Sequence, residues 1–140
     1  MKVTSISPAT SDQRGNISDI LYKSDIEHVS MVNTVGGETI IRGNHYHKET
    51  TQYMFLTKGE LFYVFKNVDD NDEPEVKRIK QYDLVETPPN EIHALLILEE
   101  TQFMVFTKGK RGGQDYESDT FRVDPILTEG LAKTLKEVFY

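Results

Sequence analysis

His45-Tyr-His-Lys-Glu-Thr-Thr-Gln-Tyr-Met-Phe-Leu-Thr-Lys-Gly59 is the stretch whose reading decides the fold. It opens with two histidines two residues apart, so on a strand both imidazoles leave the same face. Gln52 follows five residues after His47 and heads an apolar, β-prone run, Gln52–Thr57. Lys58-Gly59-Glu60 reads as a tight hairpin turn into a second run, Leu61–Phe65. Outward from there, Val29–Thr34, Thr39–Ile41, Val76–Ile79, Asp83–Glu86, Ala94–Leu98 and Thr101–Thr107 carry the same signature. Gly36-Gly37, the polar loop Asn67–Glu75, Pro88-Pro89-Asn90 and Glu99-Glu100 separate them. Many short strands at this spacing predict an all-β sandwich or barrel over residues 28–123, not alternating βαβ units. From Asp124-Pro125 onward the pattern changes. Leu127, Leu131, Leu135, Val138 and Phe139 fall at helical spacing, which predicts an amphipathic helix over 125–139, packed on the barrel or on a partner subunit.

The bulk properties exclude several classes. A chain of 140 residues with 37% hydrophobic residues fits one folded domain, 1–140, and is not a disordered polymer. There are no cysteines, so disulfides and thiolate metal sites are out. The N-terminus has no apolar segment of the signal-peptide kind and no run reaches a membrane span, so a cytoplasmic protein is expected, with no membrane partner. Sixteen basic against 23 acidic residues, net charge −7, argue against nucleic acid as a partner. They leave room for a phosphorylated small molecule, which one or two placed cations can hold.

Chemistry concentrates in the histidines. Of four, three fall in two short segments: His45 and His47, then His93 just after the Pro-Pro-Asn turn. Converging inside a small barrel, they suit a first-row metal with open positions, or acid–base work near neutral pH. His28 lies outside both segments and is read as a surface residue. Tyr53, Phe55, Phe62, Phe65, Phe103 and Phe106 are read as core. Lys108-Gly109-Lys110-Arg111-Gly112-Gly113 is read as a solvated loop, with a diphosphate cradle as the alternative.

These segments resemble the cupin family. Its first motif has the form G-x5-H-x-H-x4-E-x6-G, and His45, His47, Gln52 and Gly59 keep its spacing. Its second, G-x5-P-x-G-x2-H-x3-N, is matched by Tyr82, Pro88, Asn90, His93 and Ile97. The resemblance covers about residues 30–107 and implies a double-sheet jelly-roll barrel. It also implies a metal set of His45, His47, Gln52 and His93, for zinc first, with nickel, iron or manganese as alternatives, and no organic cofactor. Gln52 stands where the family has Glu and brings no charge. Tyr82, Asn90 and Ile97 replace the family's Gly, Gly and Asn.

A narrower resemblance lies in Arg42-Gly43-Asn44-His45-Tyr46-His47-Lys48 and in Asp12-Gln13-Arg14-Gly15. Both are similar to stretches of the sugar-nucleotide cupins: the dTDP-4-keto-6-deoxyglucose 3,5-epimerases, the 3,4-ketoisomerases, and most of all the C-terminal cupin of bifunctional capsular-polysaccharide epimerase/reductases. Asp119-Thr120-Phe121 is similar to the tail of that domain. No G-x-G-x-x-G of a reductase half follows an early strand. The resemblance implies an epimerase or ketoisomerase acting on a nucleotide-linked 4-keto-6-deoxy sugar in surface-polysaccharide biosynthesis. It implies His45 or His47 as base, Tyr53 or Tyr63 returning a proton, and Arg42, Lys48 and Arg14 binding substrate. A homodimer is expected, with the segment before Val29 exchanged between subunits. A histidine bound to metal has spent its lone pair and cannot also be the base. Strand alternation puts Arg42 and Lys48 on the face opposite His45 and His47, so they need a bend or a neighbouring subunit to reach the pocket. A metal-dependent dioxygenase and a non-catalytic sugar-binding module are the competing classes, since the fold hosts all three.

Overall fold

The computed structural model describes residues 1–36, 39–109 and 117–139. Gly37 of the Gly36-Gly37 turn and residues 110–113 of the basic glycine loop lie outside them. Twelve strands and one helix follow in chain order. They are β1 (Lys2–Ser5), β2 (Thr10–Asp12), β3 (Gly15–Ile17), β4 (His28–Thr34), β5 (Ile40–Tyr46) and β6 (Thr51–Lys58). Then come β7 (Leu61–Asn67), β8 (Glu75–Ile79), β9 (Asp83–Thr87), β10 (Glu91–Ile97), β11 (Thr101–Lys108), β12 (Phe121–Arg122) and α1 (Glu129–Phe139).

Two five-stranded antiparallel sheets form the double-sheet jelly roll that the motifs imply. One runs β1-β9-β6-β11-β4, the other β12-β5-β10-β7-β8. The alternation of apolar residues explains why both sheets have an inner face. Met54, Leu56, Val85 and Phe103 from the first meet Leu61, Tyr63, Ile79, Leu95 and Ile97 from the second. Gly59 makes the β6–β7 turn at φ +89°, and a Cβ there would stand 2.7 Å from the Glu100 carbonyl oxygen. Tyr82 and Asn90 also have positive φ, 71° and 64°. The backbone demand met by glycine in the family persists at both positions, and asparagine tolerates it more readily than tyrosine.

Two elements depart from expectation. The N-terminal segment supplies a strand, but to its own sheet, where β1 pairs with β9. Beyond it β2 and β3 form a separate, wholly exposed hairpin. The helix begins at Glu129, four residues later than the apolar spacing suggests. Ile126 and Leu127 give their amides instead to the Asn44 side chain at 3.0 Å each, which holds this segment in a bend outside the helix. Thr128 caps α1 by accepting the Leu131 amide. An 11-residue helix is too short to stand alone. It is held by Leu127, Ala132 and Leu135, buried against Phe62, Val64, Ala94 and Leu96 on the outer face of the second sheet. A fully buried leucine contributes about 2 kcal/mol to such docking.

Candidate active site

The site is built on the pairing of β5 with β10. His93 stands opposite His45, yet Ala94 stands opposite Gly43, so Asn44 is an extra residue on β5. This β-bulge depends on backbone that few side chains adopt: φ is +92° at Gly43 and +60° at Asn44. A Cβ on Gly43 would meet the His93 carbonyl oxygen at 2.8 Å. The insertion reverses the alternation, so Arg42 and His45, three residues apart, line the same pocket wall. This is the bend that Arg42 needs to reach the pocket.

His45, His47 and His93 converge as the spacing predicts. All three are buried, and their ligand atoms lie within 4.8 Å of one another. Ring centroids are separated by 4.7 Å for His45–His93, 5.1 Å for His45–His47 and 5.3 Å for His47–His93. Main-chain carbonyls fix two of the tautomers. His47 Nδ1 is 2.8 Å from the Asp119 carbonyl oxygen, and His93 Nδ1 is 3.1 Å from that of Glu91. A carbonyl only accepts, so both Nδ1 atoms carry a proton, and in the neutral rings both Nε2 atoms keep the lone pair. His45 and His93 line the pocket, whereas His47 stands behind them.

The turn carrying His47 is anchored by Asp119. Its carboxylate accepts from the Lys48, Glu49 and Thr50 amides and from the Thr50 hydroxyl, at 2.8–3.0 Å. Burial pushes this carboxyl up, but the four hydrogen bonds outweigh it and hold the group below its ordinary range. The Asn90 amide closes the same region by donating to the His47 carbonyl at 2.7 Å, which ties the two motif segments together.

A pocket of about 320 Å³ opens between the sheets. The registers place one polar row across its first wall: His28 beside Thr107, Thr107 beside Gln52, Gln52 beside Thr87. The second wall carries His93, His45 and Arg122 in one row. Ser30, Val105 and Met54 lie next to the first row, and Tyr63, Leu95 and Arg42 next to the second. All of these residues line the cavity. Tyr63 stacks on His93, with centroids 6.2 Å apart and planes 5° from parallel. Its hydroxyl donates to Glu91 at 3.2 Å and meets the Thr87 hydroxyl at 2.5 Å. Burial, and then the Glu91 charge, push the Tyr63 hydroxyl well above its ordinary range, so it stays protonated.

Three of the residues chosen from sequence are not brought to this pocket. Tyr53 lies on the outer face of the first sheet, with its hydroxyl on Glu86 at 3.0 Å. It alternates outward because Gln52 and Met54 point in. Lys48 is exposed beyond the end of β5, its ammonium 4.1 Å above the Phe121 ring. Arg14 pairs with Asp12 at 2.7 Å on the exposed hairpin. His28, read as a surface residue, is a correction: it starts β4 and faces inward with Ser30 and Val32. Extending the Val29 strand by one residue would have revealed this from alternation alone. Glu117 and Arg122, paired at 2.8 Å at the pocket, gave no sequence signal, because they reach the site only through the pairing of β12 with β5.

Residues 10–121 match the model of the family described as the polysaccharide biosynthesis C-terminal domain. The chain belongs to that family. Among solved structures, this member is similar to a 3,4-ketoisomerase from Thermoanaerobacterium thermosaccharolyticum, a double mutant in complex with TDP. Identity is 18% and the TM-score 0.68, covering 99% of this chain and 96% of that one. It is similar to a 4-keto-6-deoxy sugar epimerase from the novobiocin cluster of Streptomyces spheroides (14%, TM-score 0.69, 89% and 69%). It is also similar to the capsular polysaccharide assembling protein CapF of Staphylococcus aureus (19%, TM-score 0.62), where it covers 86% of itself and 34% of that chain. At these identities the likeness establishes a shared fold. No curated protein sequence matches the chain. Among the described residues, no helix is long and apolar enough to cross a membrane.

For this polysaccharide-family fold, Asp119 is the side chain that sets the His47 turn. Replacing it with asparagine removes the charge from four hydrogen bonds and makes one amide nitrogen face donors. Asp119→Asn is expected to lower stability by about 2–4 kcal/mol, measured by urea unfolding. A loss under about 0.5 kcal/mol would mean that the turn holds itself.

Proposed function

We propose that this chain is an epimerase or ketoisomerase that enolises a nucleotide-linked 4-keto-6-deoxy sugar in surface-polysaccharide biosynthesis. The observation that carries the reading is the buried cluster of three imidazoles at the wall of a sugar-sized pocket that also holds Arg42 and Arg122. The structures named above, described as a 3,4-ketoisomerase in complex with TDP and as a 4-keto-6-deoxy sugar epimerase, support the substrate class.

The chemistry follows from the ketone. A carbonyl acidifies the protons on its neighbouring carbons, and removing one leaves an enolate that must be stabilised. His45 faces the pocket and is the group assigned to take the proton, since an imidazole titrates near working pH. Arg42 and Arg122 offer cations for the diphosphate, Arg122 by exchanging its Glu117 partner for phosphate oxygens. Tyr63, held protonated, fixes the plane of His93 and closes the cavity behind it.

In heavy water, with a panel of UDP- and dTDP-linked 4-keto-6-deoxy sugars, NMR is expected to record loss of one proton signal beside the carbonyl. His45→Ala is expected to slow that loss by about 10²–10⁴-fold. A folded protein that exchanges no proton on any sugar of the panel would sink the enolisation reading.

A second reading concerns metal, and the donor set favours it. His47 and His93 present Nε2 lone pairs, one ligand atom from each of the three imidazoles lies within 4.8 Å of the others, and Gln52 lines the same pocket. His45, His47, His93 and Gln52 would hold a divalent cation, zinc first. When bound, the ion supplies a positive charge for an enolate oxygen. The proton-removing task then leaves His45, whose lone pair is engaged. Purified protein is expected to carry about one equivalent of metal, and chelation to lower Tm by several degrees. Metal-free protein whose Tm does not move on addition of zinc would refute this assignment.

We further propose a homodimer. The outer face of the first sheet presents Val29, Phe106 and Tyr53 in one row and Met31, Met104 and Phe55 in the next. Val29 and Met31 are 49% and 54% exposed, and an apolar sheet face of this kind is covered by a second copy. Sedimentation equilibrium is expected to give twice the 16.1 kDa chain mass, and Met31→Lys to return the monomer mass. A monomer at tens of micromolar in the unmodified chain would overturn it.

A further inference from the structure

The fourth histidine is unaccounted for by the cluster. His28 lines the pocket from β4, on the wall opposite β5 and β10. Its Nδ1 is fully buried and has no hydrogen-bond partner among the described residues. That nitrogen is shut off from the cavity as well as from solvent, so the other ring nitrogen, Nε2, is the one that His28 can offer to a ligand on this wall. Thr107 stands between His28 and Gln52 in the sheet register, which sets His28 apart from the cluster on its own wall as well.

We propose that His28 is a catalytic proton donor of this site, returning hydrogen to the substrate carbon from the wall opposite His45. The proposal rests on the enolisation reading and narrows it to epimerisation. Inverting a carbon requires a proton to leave one face and another to arrive on the opposite face. Packed sheets stand about 10 Å apart, so a sugar ring bound between these two walls would have an imidazole available on each side. In the first half, His45 takes the proton. The C–H electron pair forms the carbon–carbon double bond, and the carbonyl π pair moves to oxygen. In the second half, that oxygen pair reforms the carbonyl, and the double-bond pair takes a proton from His28. His45 ends with one proton gained and His28 with one lost, and exchange with water restores both.

The test separates exchange from inversion. Asparagine keeps an amide close to where Nδ1 stands but transfers no proton at this pH. With dTDP-4-keto-6-deoxyglucose and its UDP counterpart in heavy water, the unmodified protein is expected to yield inverted sugar carrying deuterium. His28→Asn is expected to retain exchange within about 3-fold, with deuterium in sugar of the original configuration. Its rate of inversion should fall about 100-fold or more. A merely structural role for His28 would move both rates together, so proportional loss of exchange and inversion would overturn the proposal. So would inversion at the original rate. If the unmodified protein exchanges nothing, the enolisation reading itself fails, and the assignment of His28 with it. If it exchanges without ever inverting, enolisation survives and the donor role falls.

Discussion

One extra residue in β5 makes this site. Without the bulge at Asn44, Arg42 and His45 would face opposite sides of the sheet, and the pocket would have an imidazole or an arginine on that strand but not both. The bulge is possible because Gly43 accepts φ of +92° and because no side chain intrudes on the His93 carbonyl. It also turns Asn44 away from the cavity, where its amide holds the Leu127 carbonyl and the amides of Ile126 and Leu127. The same irregularity therefore aims the histidine-bearing strand and fastens the segment that leads into α1. A ladder defect of this kind costs pairing energy, and here the Asn44 side-chain bonds offset it locally.

From that strand the order spreads by main-chain carbonyls rather than by side-chain partners. His47 and His93 are oriented by the carbonyls of Asp119 and Glu91, which belong to rigid or well-anchored backbone. A carbonyl holds a neutral histidine in one tautomer without adding a charge beside it, as a carboxylate in the same place would. The carboxylate that is present, Asp119, spends its charge on three amides and a hydroxyl of the Lys48–Thr50 turn. Division of labour follows: Asp119 sets where His47 sits, and its neighbouring carbonyl sets which nitrogen is offered.

The convergence of His45, His47 and His93 was legible in sequence because two regular signals encode it, the i, i+2 spacing and the position of His93 after a turn. The hairpin at Gly59 and the strand pairs around it were legible for the same reason. What was hidden obeys no period. Arg42 depends on a bulge, which is written only in the permissive Gly43-Asn44 pair. Tyr53 turns away from the pocket because strand alternation points its neighbours Gln52 and Met54 into it. His28 was placed at the surface because the strand was started one residue late. Glu117 and Arg122 reach the pocket through a two-residue strand, too short to announce itself. The helix starts later than its apolar spacing suggests because that spacing cannot see the Asn44 bonds that hold residues 126–127 in a bend.

The electrostatics of the site argue against reading function from net charge. The chain carries −7 overall, yet the described pocket is lined by Arg42, Arg122 and three of the four histidines, with Glu117 the acidic residue among them. In a cleft between two low-dielectric sheets, nearby charges dominate the potential, and distant surface carboxylates are screened over about 8–10 Å at physiological ionic strength. An anionic ligand therefore meets a locally cationic wall on a protein that repels anions elsewhere. Glu117 makes that wall conditional. Its pairing with Arg122 satisfies the guanidinium when no anion is bound, and a phosphate must compete with it to enter. A neutral group gains nothing from displacing a carboxylate from arginine, whereas an anion replaces one charged partner of that nitrogen with another.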